Sequence, residues 1–192
     1  MKTLIMLLAI APLAGCASGS RLPVETYDFG IAAPATAPSG QDVFMADVRA
    51  AEWLNTTDML YRLEYRNPRI LMPYSASRWA GAPAAMLTVR LRQSVGNAPS
   101  PRGRQVKCNL SLFLSEFSQV FDSEQDSRSV MLIRATLTDI ATTERGLVRE
   151  FRIERPAPTA NAAGEAAAFS DIATLLADEL NAWIREAGFC KS

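Results

Sequence analysis

The sequence predicts an α+β domain, an antiparallel β-sheet with two main helices packed on one face, and three observations predict it. Between residues 106 and 153 apolar side chains recur at every second position in three successive runs. Phe169, Ile172, Leu175, Leu176, Leu180, Trp183 and Ile184 recur at helical spacing. Pro83 stands where the first turn of a shorter helix would begin, ahead of Met86, Leu87 and Leu91. A sheet face and two helix stripes of this kind each need a covering layer, and packing them together gives every stripe a partner.

The elements follow in chain order. Tyr27, Asp28, Phe29 and Gly30 read as a brief first strand, and the Ala- and Pro-rich residues 32–40 as a loop. Residues 43–48 read as a strand with apolar residues on both faces. From residue 60 to 66, Tyr61, Leu63 and Tyr65 alternate with Arg62, Glu64 and Arg66, the period of a half-exposed strand. Asn67-Pro68 supplies a turn, and Ile70, Met72 and Tyr74 continue as the second strand of a hairpin. Pro73 lacks the N–H a ladder needs, so this strand is expected to lie at an edge or to end there. The helix opened by Pro83 is expected to stop near Val95-Gly96, with residues 97–104 as an exposed loop.

The run from residue 106 to 121 changes parity midway. Leu110, Leu112 and Leu114 share one face, whereas Phe117 and Phe121 fall on the other, and a bulge near Ser115-Glu116 returns both aromatics to the core. Met131, Ile133, Ala135 and Leu137 repeat the alternation after a polar turn, and a second turn spans residues 143–146. Leu147, Phe151 and Ile153 complete the meander, backed by Glu150, Arg152 and Glu154. Residues 156–164 read as a loop before the terminal helix, which is expected to lie across the meander.

The amino end carries a different signal. Lys2 gives a positive start, residues 3–13 form an apolar stretch broken by Pro12, and Ala14-Gly15 precede Cys16. The stretch is too short to cross a bilayer, which takes about 20 apolar residues. A cysteine directly after small residues is the pattern of a lipoprotein signal peptide, in which the thiol accepts lipid (palmitate among the acyl chains) before the leader is removed. The organisation expected is a signal peptide at 1–15, a lipidated tether at 16–24 and a periplasmic domain at 25–192. Ala17 stands where an aspartate would favour retention at the inner membrane, so the expected place is the outer membrane, facing the periplasm.

Composition narrows the function. The 192-residue chain is 48% apolar, enough for one real core, and 20 basic residues balance 20 acidic ones. Without a concentrated basic face there is no electrostatic case for nucleic acid. The chain contains no histidine, which removes the commonest general base and metal ligand together. No phosphate loop or paired CxxC occurs, so no catalytic residue, metal or cofactor is assigned. With Cys16 given to lipid, Cys108 and Cys190 remain, and two readings stand: a disulfide, favoured by an even pair in an oxidising compartment, or two buried free thiols. Trp53, Trp79 and Trp183 read as core anchors before ligand platforms. Arg62, Arg78 and Arg90 read as ion-paired or solvated before they read as headgroup ligands.

Tyr27-Asp28-Phe29-Gly30 after the lipobox, then Trp53-Leu54, Met59-Leu60-Tyr61-Arg62, Tyr65, Tyr74 and Ser77-Arg78-Trp79 ahead of a proline-initiated helix, form an ordered set. In that order the chain resembles the ABC-type transport auxiliary lipoproteins, the group that includes the paraquat-inducible protein C lipoproteins. The resemblance implies a non-enzymatic accessory of a lipid-transport machine, partnered by an MCE-domain protein and an ABC permease and ATPase, and self-associating. Trp53, Leu54, Tyr61, Arg62, Tyr74, Arg78 and Trp79 would then belong to the docking region. A different expectation for a tethered domain of this size is a regulator or activator of a periplasmic cell-wall enzyme.

Overall fold

The structure is a computed structural model that describes residues 23–31, 42–95, 106–142, 146–188 and 190. The signal peptide, Cys16, residues 17–22 of the tether and the loops at 32–40 and 97–104 lie outside the described residues, as do residues 143–145 of the last turn. The elements are β1 (Glu25–Tyr27), β2 (Val43–Met45), β3 (Arg49–Ala50), a 3-10 turn (Glu52–Leu54), β4 (Asp58–Leu63), β5 (Met72–Trp79), α1 (Pro83–Arg92), β6 (Cys108–Phe121), β7 (Ser127–Asp139), β8 (Gly146–Pro156) and α2 (Ala162–Ala187). They form one eight-stranded sheet, ordered β1-β5-β4-β6-β7-β8, with β2 and β3 also paired to β6. The class is α+β.

The sheet is mixed rather than purely antiparallel. Strands β6, β7 and β8 form the antiparallel meander that the alternation marks, but β1 runs parallel to β5, and β2, β3 and β4 all run parallel to β6. The three short strands take successive stretches of the same edge of β6: Val43 faces Cys108, Arg49 faces Phe113 and Tyr61 faces Gln119. A period of two is common to both orientations, so side-chain alternation carries no information about direction.

The bulge in β6 falls between Leu114 and Glu116. Leu110, Leu112 and Leu114 are buried before it and Phe117 and Phe121 after it, so one extra residue returns both rings to the buried face, which Gln119 shares. Ser115, at the bulge, donates from Oγ to the carbonyl of Leu132 at 3.2 Å.

Several boundaries differ from the sequence reading. The first strand ends at Tyr27, and Phe29 instead turns into the core, 6% exposed. Residues 43–48 are one short strand followed by an extended link to β3. Strand β4 spans Asp58–Leu63, so Tyr65 and Ile70 belong to the connection rather than to the hairpin strands. Pro73 does sit on an edge, because β1 covers only Ser77 to Trp79 of β5. Helix α2 begins at Ala162, inside the stretch read as loop: the Asn161 side chain accepts from the Gly164 N–H at 3.0 Å and caps it. Gly164 is required there, since a Cβ would lie 1.9 Å from the Thr159 carbonyl oxygen.

Helix α2 lies on β7 and β8, burying Phe169, Ile172, Leu176, Leu180, Trp183 and Ile184. Helix α1 packs beside it, with Leu87 and Leu91 fully buried. Asn181 Nδ2 donates to the Ser94 carbonyl at 2.9 Å, and Arg90 Nη2 donates to Thr174 Oγ1 at 3.2 Å. A disulfide joins Cys108, at the start of β6, to Cys190, just past α2, with Cα atoms 5.6 Å apart. No helix of the described residues is long and apolar enough to cross a membrane.

Candidate functional site

The residues assigned to docking between Trp53 and Trp79 divide into a scaffold and one exposed ring. Trp79 is 2% exposed at the centre of an aromatic cluster, with ring centroids 5.8 Å from Phe29, 5.6 Å from Phe117 and 5.9 Å from Phe169. Leu54 is 1% exposed. Neither presents a surface to a partner, so their place in the motif is structural. Trp53 is the reverse case. It was expected in the core, but its position in the 3-10 turn leaves it 60% exposed while Leu54 takes the inward place.

Four more of them brace the β4–β5 hairpin and fasten it to β6. Tyr61 packs on Tyr74 at 4.7 Å between centroids and on Phe121 at 5.7 Å. Arg62 pairs with Glu116 at 2.9 Å, beside the bulge, and Arg78 pairs with Asp58 at 3.2 Å across the hairpin. Both pairs are partly exposed, and such pairs contribute little to stability, about 0–1 kcal/mol each. Their use is positional: each fixes the register of a strand that backbone pairing alone holds over only a few residues.

Behind this hairpin lies a buried polar chain. The Tyr74 hydroxyl donates to Gln119 Oε1 at 2.6 Å, and Gln119 Nε2 donates to Ser127 Oγ at 2.7 Å. Ser129 Oγ donates to the backbone carbonyl of Glu165, in the first turn of α2, at 3.4 Å. The Glu165 side chain is fully buried and neither carboxylate oxygen has a hydrogen-bond partner. Burial raises its pKa well above the ordinary value, because taking the carboxyl out of water penalises its charged form. Burial, then the nearby Glu165 and Tyr61, also raises the Tyr74 hydroxyl.

This arrangement predicts a pH signature. The unfolded chain ionises Glu165 near 4.5 while the folded chain resists, so the stability associated with the neutral form is complete below that pH. It is lost as pH rises toward the folded pKa, by about 1.4 kcal/mol for each unit climbed. Glu165→Gln removes the ionisable group and keeps the shape. In urea melts the variant is expected to match the native chain near pH 4 and to gain on it steadily toward neutral pH; parallel curves would show that Glu165 finds a partner.

Two grooves flank α1. One, of about 540 Å³, lies between residues 28–31 and the helix and is lined by Phe29, Ile31, Met86, Val89 and Arg90. The other, of about 740 Å³, separates the helix from residues 47–55 and carries Asp47, Arg49, Glu52, Thr88 and Arg92. Trp53 stands next to Glu52 in the turn that walls the second groove, and Val89, between the two, is 63% exposed. Among the described residues no group of His, Cys, Asp or Glu is placed to hold a metal ion. Shallow walls of mixed charge with exposed apolar residues suit another protein's surface better than a small substrate, which takes a deeper and drier pocket.

The model of the family described as ABC-type transport auxiliary lipoprotein component matches residues 27–181, which hold every element from β4 to β8 and most of α2. The chain belongs to that family. Its fold is shared by solved structures. The crystal structure of protein XCC0632 from Xanthomonas campestris is 20% identical, with a TM-score of 0.69 over 86% of this chain and 97% of that one. A crystal structure of an uncharacterized protein is 11% identical, with a TM-score of 0.63 over 84% and 99% of the two chains. At these identities the likeness is one of fold. No curated protein matches. Membership makes the chain an auxiliary component of ABC-type transport, and the motif region lies wholly within the matched residues.

Arg90, read from the sequence as a solvated or paired arginine, spans the two helices through Thr174 and lines the first groove. The exposed position of Trp53 had no sequence signal, because an isolated tryptophan between short segments shows no period. The grooves depend on how α1 sits, which no local pattern carries.

Proposed function

We propose that this auxiliary lipoprotein is anchored in the outer membrane through acyl chains on Cys16, faces the periplasm, and serves without catalysis as the far end of an MCE/ABC-type intermembrane lipid transport system. The observation that carries the reading is the family match over residues 27–181, joined to the lipobox that ends at Cys16. The folded part is the domain from residue 25, which follows a short lipidated tether. An ABC permease and ATPase supply the energy and an MCE-domain protein the shielded path, since each lipid methylene exposed to water costs about 0.8 kcal/mol. Trp53 with the neighbouring grooves of α1 forms the docking surface, and self-association would arrange several such surfaces around one conduit.

Two or more acyl chains convert marginal binding into stable anchoring. Cys16→Ser is therefore expected to move the protein from the outer-membrane fraction to the soluble periplasm. Crosslinked pull-down of the native chain is expected to recover MCE and ABC components. Outer-membrane fractionation unchanged by Cys16→Ser would remove the anchor, and pull-downs empty of transport components would remove the partner assignment.

A further inference from the structure

We propose that the loop at residues 64–71 is the membrane footprint of the domain, resting in the headgroup layer of the bilayer, with Tyr65 and Ile70 at the acyl boundary and Arg66 and Arg69 on lipid phosphates. The assignment rests on the Cys16 anchor put forward above.

The first argument is reach. Strand β1 runs parallel to β5, with Glu25 opposite Ser77 and Tyr27 opposite Trp79, so the chain enters the sheet from the side on which β5 begins. That is the side of the loop, which joins Leu63 to Met72. From Cys16 to Pro23, the first described residue, the chain extends about 25 Å at most. The opposite end of the sheet lies much further off. Thr26 is level with Asp58 through Arg78, and Tyr61 faces Gln119, so Thr26 lies level with Glu116 and Cys108 about 23 Å beyond it, which is about 30 Å beyond Pro23. An acylated Cys16 can reach past the loop end and falls short of the Cys108 end, so the anchor turns the loop toward the bilayer.

The second argument is chemistry. The loop is preformed: the N–H groups of Arg66 and Asn67 donate to the Leu63 carbonyl at 3.0 and 2.8 Å, Ile70 N–H donates to the Asn67 carbonyl at 3.3 Å, and Arg69 N–H donates to Asn67 Oδ1 at 3.0 Å. This framework presents Tyr65 41% exposed and Ile70 49% exposed, with the Arg66 guanidinium 5.6 Å from the Tyr65 ring centroid. An amphipathic ring, a branched aliphatic chain and forked cations on apolar stems are the side chains that suit a headgroup layer. The adjacent β6–β7 turn carries Asp122, Glu124 and Asp126, with Asp122 and Glu64 paired to Arg128. This end of the domain is therefore no basic patch, and the contact is short-range insertion rather than long-range attraction to anionic lipid.

The test uses the full chain purified in its acylated form and placed in vesicles of phosphatidylethanolamine and phosphatidylglycerol, with hydroxyl-radical oxidation read by mass spectrometry. Relative to soluble Cys16→Ser protein, oxidation of Tyr65 and Ile70 is expected to fall severalfold, with Trp53 and Val89 unchanged. Combined Arg66→Glu and Arg69→Glu substitutions, both on exposed side chains, are expected to restore oxidation of Tyr65 and Ile70 on vesicles; protection that persists in this variant would overturn the phosphate contact. Equal reactivity of Tyr65 and Ile70 on vesicles and in solution, with acyl chains present on Cys16, would overturn the footprint and leave the anchor standing. The same spectra read the anchor itself: a Cys16 without acyl mass would overturn both.

Discussion

Trp79→Ala is expected to destabilise the domain by about 3–5 kcal/mol, the usual cost of emptying a core site of an aromatic ring. The size follows from what the ring touches. Phe117 stacks on Phe169 at 3.6 Å between centroids, and Trp79 meets both edge-on together with Phe29, so one indole joins β5, β6, α2 and the segment after β1. Backbone pairing converges on the same place, where Trp79 N–H donates to the Thr57 carbonyl at 2.7 Å and Ala80 N–H donates to Tyr27 at 2.7 Å. Alanine leaves a void lined by rings that cannot collapse without moving a helix. Trp53→Ala supplies the contrast: at 60% exposure its stability cost is expected to stay within about 0.5 kcal/mol, while capture of the transport partners weakens. Urea unfolding followed by far-ultraviolet circular dichroism measures both without relying on the fluorescence of the residue removed. Similar losses for the two variants would show that Trp53 is held by the fold and is not a docking residue.

That contrast also marks how far the sequence is legible. The meander β6–β7–β8 and the terminal helix show clearly because long runs repeat a period, and the parity change from Leu114 to Phe117 is enough to place a bulge. Strand direction is invisible in the same signal, which is why four parallel pairings escape it. Strands of two or three residues, such as β2 and β3, are too short to show a period at all. Between Trp53 and Trp79 the residue types are legible and the burial is not: Trp53 and Trp79 look alike until the 3-10 turn sends Leu54 inward and its neighbour outward. The pairing of Arg62 with Glu116 depends on the bulge in β6 and on a second irregularity between Asp58 and Leu60, and a cross-strand register of that kind follows from tertiary packing. Glu165 is the sharpest departure, an acid fully buried on a helix that sequence alone would give to solvent.

Replacing Cys108 and Cys190 together by alanine is expected to cost about 4 kcal/mol and to lower the melting temperature by an amount on the order of 10 °C. The two residues are 82 apart in sequence, and the chain-entropy account makes a closed loop of that length one of the more effective constraints on an unfolded chain. Alanine is preferred to serine because both sulfurs are fully buried, and a hydroxyl left there without a partner would add a penalty of its own. The native effect is local. Asp42 lies against both ends of the bond, its carbonyl accepting from Cys108 N–H at 3.1 Å and its N–H donating to the Cys190 carbonyl at 3.3 Å, so strand entry and helix exit stay together after the sulfurs are removed. The loss should therefore appear chiefly in the unfolded state, with native far-ultraviolet dichroism unchanged and a steeper urea dependence, because an unclosed chain exposes more surface on unfolding. A reducing agent added to the native chain is expected to reproduce the shift, which an oxidising compartment would normally prevent. A lowered midpoint with an unchanged urea slope and altered native dichroism would place the effect in the folded state instead, as a repacking where α2 meets the start of β6.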